Sequence, residues 1–583
     1  MRWAVVSLLL LTAIGCSGFR RAPGELSPAQ AATAARQWLE GIEQAQSEGT
    51  LGADEARAAL AEADRIDPYL RDATLRRRIE RRLGGVRLAQ VEGGPLAAMA
   101  DANTEIRRLY RETQLEVDGA RVAPAVLQRR MEDELVGDAR EEAWNALVPF
   151  YDQIAPWLAQ VFEARNAVAR RAGYADEESR SREAEEIPEG LVVELLDEIR
   201  GRTDRAGPIP LPETGDRWRP SEVPIREPSP FRIADDQLEL EEALAGIRAL
   251  VERLGFTDDA SKAVLDEEER RASGKSLPDV GGLEGVLFRI GRALYVAHLP
   301  EGPPELAVVA SRAMEAAMGR ILAEFVRDRE WLEEAFPDLD LGLADVLPAR
   351  SAALVEVRAL AARVEFEREA LRNPGRDLSE LWWDLMQKWL DVERQTGAGF
   401  VQDRGLAVES YRSRDEILAR LIASQIRNYL ILAHGSMLDE PRTATFLTER
   451  VFSRGAEVPW TDLVQAATAE SLDPAYYLRD LLEGATRFSL EKQLERERKR
   501  GGRRRQGRRR DEDAEGELGV EGDPDAAETL LDPSDADDPA DPDSTPDPDS
   551  TPDPEGTSSD PEGSSEATES SQAAEKPKES EGS

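Results

Sequence analysis

The chain has 583 residues, a formal net charge of −41, one cysteine and two histidines. That length allows several domains, or one large body with appendages, and a lone cysteine excludes an internal disulfide. The negative charge is concentrated at the end: residues 511–583 hold 26 Asp/Glu against 2 Lys, −24 of the total, leaving −17 elsewhere. A body of that sign lacks the broad basic face that a nucleic-acid backbone needs, so no nucleic-acid partner is expected.

The first segment, MRWAVVSLLLLTAIGCSG, sets Arg2 ahead of a short apolar run from Ala4 to Ile14, with Gly15 directly before Cys16. This pattern predicts a secretory signal peptide over residues 1–15, too short and wrongly flanked for a spanning helix. Ala13-Ile14-Gly15-Cys16 resembles a bacterial lipobox, although its first position departs from the usual Leu. The resemblance implies lipid attachment at Cys16, with the bilayer as a partner. Ser17 following it implies an outer-membrane address facing the periplasm. Several acyl chains on one residue hold a protein stably, where a single chain is marginal. The plainer alternative is a cleaved signal with an incidental cysteine.

Residues 16–26 form a spacer. From Ser27-Pro28 the pattern is helical, Ser27 suited to cap and Pro28 to the first helical position. Apolar residues at three- and four-residue spacing predict helices near 27–46, 53–65, 71–91, 97–114, 122–134, 139–172 and 188–201, then from 235–255 with short breaks to about 500. Ala, Leu, Glu and Arg dominate, all strong helix formers, and no convincing strand alternation is found. An N-terminal helical region is set at 27–94 and the main helical body at 95–490. Seven prolines in GPIPLPETGDRWRPSEVPIREPSPF, residues 207–231, predict an extended loop. Residues 496–510, RERKRGGRRRQGRRR, carry ten Lys/Arg within a basic segment set at 491–510. That segment could meet anionic headgroups or nucleic acid, the latter opposed by a periplasmic address, or fold back on the acids that follow it. The tail 511–583, with its Asp/Pro/Ser/Thr repeats, is predicted to be disordered.

Several stretches, taken in order, resemble one group of zinc peptidases, the oligopeptidase, angiotensin-converting-enzyme and thermostable-carboxypeptidase group. They are RLYRETQLEVDG at 108–119, AREEAWNALVPFYDQIAPWLAQVFEARNAVARRAGYAD at 139–176, VLFRIGRALY at 286–295, SRAMEAAMGRILAEFVRDREWLEE at 311–334, DEILARLIASQIRNYL at 415–430, and the Trp460 segment leading into SLDPAYYLRDLL. Arg165-Asn166 and Gly173-Tyr174 are the most characteristic positions in the second. The likeness covers roughly residues 95–485 and is carried by order rather than by one motif. It implies an all-α, multi-helix peptidase-like body with a central cleft.

The chemistry of that group uses two histidines at i and i+4 as zinc ligands, a glutamate between them as general base, and a later glutamate as third protein ligand. Matching Gly291-Arg292-Ala293-Leu294 to the group's Gly-His-Ala-Leu puts Phe288 and Arg292 at the histidine positions and Arg289 at the base. Glu315 matches the third ligand. Phenylalanine has no lone pair, and a guanidinium stays protonated with nothing to donate to a metal. The expectation is therefore no zinc, no peptidase activity, and a buried Arg292–Glu315 pair joining two helices. The chain then reads as an envelope lipoprotein with an inactive peptidase-like domain that binds peptide or protein partners. Two alternatives stay open: an active metallopeptidase with a rearranged site, which would take zinc, and a helical scaffold unrelated to peptidases.

Other candidates have simpler readings. His298 and His434 read as helix-end residues. Gly274-Lys275-Ser276 has the ending of a phosphate loop, but Glu269 stands where its first glycine belongs. Trp382-Trp383 reads as core, and Asp266–Glu269 as a solvated helix face.

Overall fold

Ser27 starts the first helix with a capping box: its Oγ accepts the Gln30 N–H at 3.2 Å, and its own N–H donates to Gln30 Oε1 at 2.8 Å. The computed structural model describes residues 26–117, 119–133, 138–205, 237–339, 346–403, 405–438 and 441–481. Cys16 and the predicted signal segment, the proline-rich stretch, the basic segment and the acidic tail lie outside the described residues. By contacts the chain divides into Met1–Gly502 and Arg503–Ser583, so every described residue belongs to the first unit.

The fold is all-α. In order come α1 (Pro28–Ser47), α2 (Ala53–Ile66), α3 (Ala73–Ala89) and α4 (Gly94–Glu112), then β1 (Leu115–Val117) and β2 (Ala120–Val122). The chain continues as α5 (Pro124–Asp133), α6 (Asp138–Arg171), α7 (Glu177–Ala184), α8 (Leu191–Arg205), α9 (Leu240–Arg253), α10 (Asp259–Ala272) and α11 (Gly282–Ala297). After them come α12 (Arg312–Ala323), α13 (Arg329–Ala335), α14 (Val346–Arg372), α15 (Leu378–Leu390), α16 (Gly405–Val408), α17 (Arg412–His434), α18 (Arg442–Arg450) and α19 (Trp460–Thr468). Residues 475–481 form a last helical stretch.

One departure from the sequence reading is the hairpin of β1 and β2, paired antiparallel with Leu115 opposite Val122 and Val117 opposite Ala120. Its signal was the Asp118-Gly119 pair between short alternating runs, and Gly119 takes φ 75°, as a tight turn demands. α6 runs on through Pro149 and Pro156, each of which removes one backbone donor without ending the helix.

Helices α1–α3 enclose a small core of their own, built on Ala35, Trp38, Leu39, Ile42, Ile66, Leu75 and Ile79. α3 joins this unit to the body through a row of arginines. Arg77 donates to the Ala456 carbonyl at 3.0 Å and to Glu186 at 2.8 Å. Arg78 and Arg82 each reach Glu305 at 3.1 Å. Burial alone would raise the Glu305 carboxyl, but a backbone N–H and these two guanidiniums hold it below its ordinary value.

The main core is continuous from Ala102 to Leu478 and is dominated by aromatics such as Trp144, Phe162, Tyr295, Trp331, Trp389 and Trp460. Trp382 and Trp383 belong to it: Trp382 meets Phe366 edge-on at 5.2 Å, and Trp383 Nε1 donates to the Gly397 carbonyl. Among the described residues no helix is long and apolar enough to cross a membrane.

Candidate functional site

The VLFRIGRALY stretch lies in α11, which starts at Gly282 behind Gly281, both at positive φ (72° and 89°). Leu283, Val286, Leu287, Ile290 and Leu294 form the buried stripe expected of an amphipathic helix. Phe288 and Arg292 fall on a different face. Against α11 packs α12, which is itself sandwiched between α11 and α17 and buried along most of its length. Ser311 caps α12 by accepting the Met314 N–H at 3.0 Å.

The two helices touch backbone to backbone. A Cβ on Gly291 would lie 2.5 Å from the Met318 carbonyl oxygen, and one on Gly319 would lie 2.7 Å from both the Phe288 ring and its carbonyl oxygen. Here the missing side chains permit the crossing itself.

The four residues matched to the zinc site occupy this crossing but do not form one cluster. Arg292 Nε donates to Glu315 Oε1 at 3.0 Å, and a second guanidinium nitrogen reaches the same oxygen. The pair is therefore formed, but it is not buried: the Arg292 side chain is 45 % exposed and that of Glu315 21 %. The reason is the wheel position of Arg292, away from the apolar stripe. Arg289 points elsewhere, donating to Glu268 of α10 at 2.8 Å and to the Val280 carbonyl at 2.7 Å. It staples the start of α11 to the preceding helix. Phe288 lies under two cations, with the Arg292 and Arg320 guanidinium carbons 5.8 and 5.2 Å from its ring centre.

Arg320 leads inward. It bonds Glu284 at 2.9 Å and Glu416 of α17 at 2.8 Å. Arg420 in turn bonds Glu416 at 3.1 Å and Glu356 of α14 at 2.6 Å. Carboxylates and guanidiniums thus alternate across four helices, the arrangement that lets buried charges be tolerated.

A divalent cation does not fit the matched positions. Phe288 offers no donor atom, two guanidiniums flank it, and Glu315 already accepts from one of them. Among the described residues, no group of three or more His, Cys, Asp or Glu could hold a metal ion. Because Arg292 is half exposed, its coupling to Glu315 is expected to be small. A double-mutant cycle with Arg292→Ala and Glu315→Ala, read by urea unfolding, should give less than about 1 kcal/mol. A coupling near 3 kcal/mol, the range of broken buried pairs, would contradict this placement.

The fold brings together three other residues of catalytic type. His298 ends α11, its Nδ1 2.8 Å from the Leu294 carbonyl and its Nε2 2.8 Å from Asp258 and 3.5 Å from Ser261 Oγ. A nucleophile relay needs serine and carboxylate on opposite ring nitrogens. Here both face Nε2, and Asp258 also caps α10, so the trio is a joint between α10 and α11. Asp266–Glu269 is likewise more engaged than a solvated face, since Glu268 holds Arg289 while Asp266 and Glu269 hold Arg248. At the end of α17, Gly435 takes φ 85° directly after His434.

A second charged cluster lies deeper. Arg165 of α6 donates to the Leu406 and Ala407 carbonyls at 2.7 and 3.0 Å. Asn166 beside it donates to the Leu371 carbonyl and accepts the Glu177 N–H. Glu367 of α14 accepts the Tyr411 N–H at 2.8 Å, and burial pushes its carboxyl up to about 8 despite nearby Arg165. Burial also raises Asp415, to about 6, against the pull of Arg414 and Arg312. Tyr411 itself sits at φ 62°, a left-handed conformation costly for a bulky residue. Of this cluster the sequence marked only Arg165-Asn166, through the resemblance; that they meet Glu367 and Tyr411 was not legible, because the members come from separated helices.

Among the concave sites formed by the described residues are one of about 310 Å³ at the end of α17 and one of about 450 Å³ beside α18 and α19. Neither is lined by the 286–295 stretch or by Glu315. No family model matches the chain, and no curated protein matches it.

Proposed function

We propose that this is a lipid-anchored protein of the bacterial cell envelope whose helical body, peptidase-like in plan, binds peptide or protein partners without hydrolysing them. One observation carries the proposal. At the crossing of α11 and α12, the residues matched to ligands and base are a phenyl ring and two guanidiniums, and the matched third ligand is bonded to one of those guanidiniums. A general base must take a proton from water, and an arginine cannot do so near neutral pH. An electrophile is missing for the same reason, since nothing at the crossing can recruit a cation. The anchoring half of the proposal rests on the lipobox-like segment at Cys16.

The runner-up, a helical scaffold without peptidase ancestry, is favoured by one feature. The Arg292–Glu315 pair stands at an exposed surface, and it lines neither of these two concave sites.

Purified full-length protein tests both halves. Zinc should be far below one equivalent, and unstructured peptides should survive long incubation with added zinc. The wild-type chain should partition into the detergent phase, and Cys16→Ser should leave it. Stoichiometric zinc accompanied by peptide cleavage would instead establish an active enzyme with a rearranged site.

A further inference from the structure

Gln425, Tyr429, Leu432 and Ala433 stand at i, i+4, i+7 and i+8 of α17, so they share one face of the helix. The chain leaving α19 comes back against that face. Ala469 takes φ 63° and turns the backbone directly after Thr468, and Glu470 and Tyr476 follow. Together these residues line the cavity of about 310 Å³ at the end of α17. A cavity of about 150 Å³ already holds a benzene ring, so a charged head and part of its stem fit here.

The floor has no donor to offer. Gln425, only 1 % exposed, donates to Thr468 Oγ1 at 2.9 Å and to the Ser471 carbonyl at 3.1 Å, and accepts the Asp473 N–H at 2.8 Å. Thr468 Oγ1 in turn donates to the Val464 carbonyl at 2.9 Å. Both side chains are spent on holding the loop to the helix.

The walls are a carboxylate and two phenol rings. Tyr429 is fixed by stacking on Phe446, ring centres 5.4 Å apart. Tyr476 is fixed by its hydroxyl, which donates to Glu470 Oε2 at 2.8 Å. Among the described residues Glu470 Oε1 has no partner, and none of those lining the cavity is Lys or Arg. Leu432, at the mouth, is 76 % exposed.

A cation on a methylene stem matches each of these groups. The open carboxylate oxygen supplies a counter-charge, and tyrosine faces attract cations within about 6 Å of the ring centre. Lys and Arg also lay their stems along apolar surface, which Leu432 and Ala433 provide. Tyr476 already shows this affinity: the Arg479 guanidinium carbon, outside the lining, stands 5.5 Å from its ring centre.

We propose, resting on the peptide-binding reading above, that this cavity takes a lysine or arginine side chain of the partner. A phospholipid headgroup suits it less. Its phosphate arrives with the ammonium, and the lining holds no cation to meet it. A basic side chain brings no anion. Residues 1–510 carry a net −17, which favours a basic partner as well.

Calorimetric titration of the full-length chain at low salt tests the assignment with two probes. One is the capped pentapeptide Ala-Leu-Arg-Leu-Ala; the other carries citrulline, which keeps the shape of arginine and loses its charge. The arginine peptide should bind tighter by about tenfold or more. Glu470→Gln keeps an acceptor for the Tyr476 hydroxyl and should bring the two peptides to equal affinity. Glu449→Gln, at the concave site beside α18, should leave the preference intact. Equal binding of both peptides to wild type overturns the assignment while leaving peptide binding in place. An arginine preference that survives Glu470→Gln puts the site elsewhere and overturns it too. Failure of both peptides to bind removes the assignment together with the reading it rests on. Glu470-dependent binding of the Cys16→Ser chain to phosphatidylcholine vesicles, with no arginine preference, would give the cavity to a lipid headgroup instead.

Discussion

Replacing Gly319 with alanine will destabilise this protein by about 2–3 kcal/mol, and Gly291→Ala will do nearly the same. Intrinsic propensity points the other way, because alanine in a helix interior is favoured over glycine by roughly 0.5–1 kcal/mol. The contact decides the sign. On Gly291 the new methyl would stand 2.5 Å from the Met318 carbonyl oxygen, and on Gly319 it would stand 2.7 Å from the Phe288 carbonyl oxygen. Both obstacles are backbone, which cannot swing aside as a long side chain would. The helices must separate, and α12 cannot move freely because α17 packs on its other side. Urea unfolding followed by far-UV circular dichroism reads the effect. Gly41→Ala in α1 is the control: nothing lies within 4 Å of its added carbon. There propensity acts alone, and stability should rise by about 0.5–1 kcal/mol. Wild-type stability in Gly319→Ala would mean that the crossing is looser than described.

The second large effect concerns pH. Burial raises the Glu367 carboxyl from 4.5 to about 8, so between those values the folded chain keeps a proton that the unfolded chain releases. Stability must therefore fall as pH rises through that window, and the full penalty is present above pH 8. Below about pH 4.5 both states are protonated and the group contributes nothing. The groups around it are Arg165 of α6, Arg414 and the Tyr411 N–H at the start of α17, and Asp403. The cations reduce the shift without cancelling it. Glu367→Gln keeps an acceptor for the Tyr411 N–H and removes the titration. The variant should match wild type near pH 4.5 and exceed it at pH 9 by on the order of 3–5 kcal/mol. Asp415, raised from 3.8 to about 6, should leave a shallower residual slope in the variant. Parallel pH profiles for the two proteins would show that Glu367 ionises normally in the folded state.

The helices were legible because each rests on local rules: the Ser27 cap, the apolar spacing, the composition of good helix formers. The hairpin was not read: Asp118-Gly119 suits a tight turn, but three-residue strands are too short for alternation to stand out. The pairing of Arg292 with Glu315 could be proposed from spacing along a resemblance, whereas its exposure required the wheel. Leu283, Ile290 and Leu294 define the buried stripe, and Arg292 lies off it. What could not be read is the ionic interior. Arg165 finds carbonyls more than 240 residues away, and Tyr411 finds Glu367 44 residues upstream. Nothing in a linear pattern distinguishes those charged residues from solvated ones on the same helices. Only the packing of α6, α14 and α17 selects them.

The arginine row on α3 has a consequence in time. Arg78 and Arg82 wait for Glu305, and Arg77 for the carbonyl of Ala456, 379 positions further along. At about 5–20 residues per second, a ribosome takes roughly 20–75 s to supply that last partner. The three N-terminal helices can close their own core as soon as they emerge. Arg77 gains the Glu186 carboxylate, and Arg78 and Arg82 gain Glu305, only as those later residues are made, so this small core can close well before it is seated on the body.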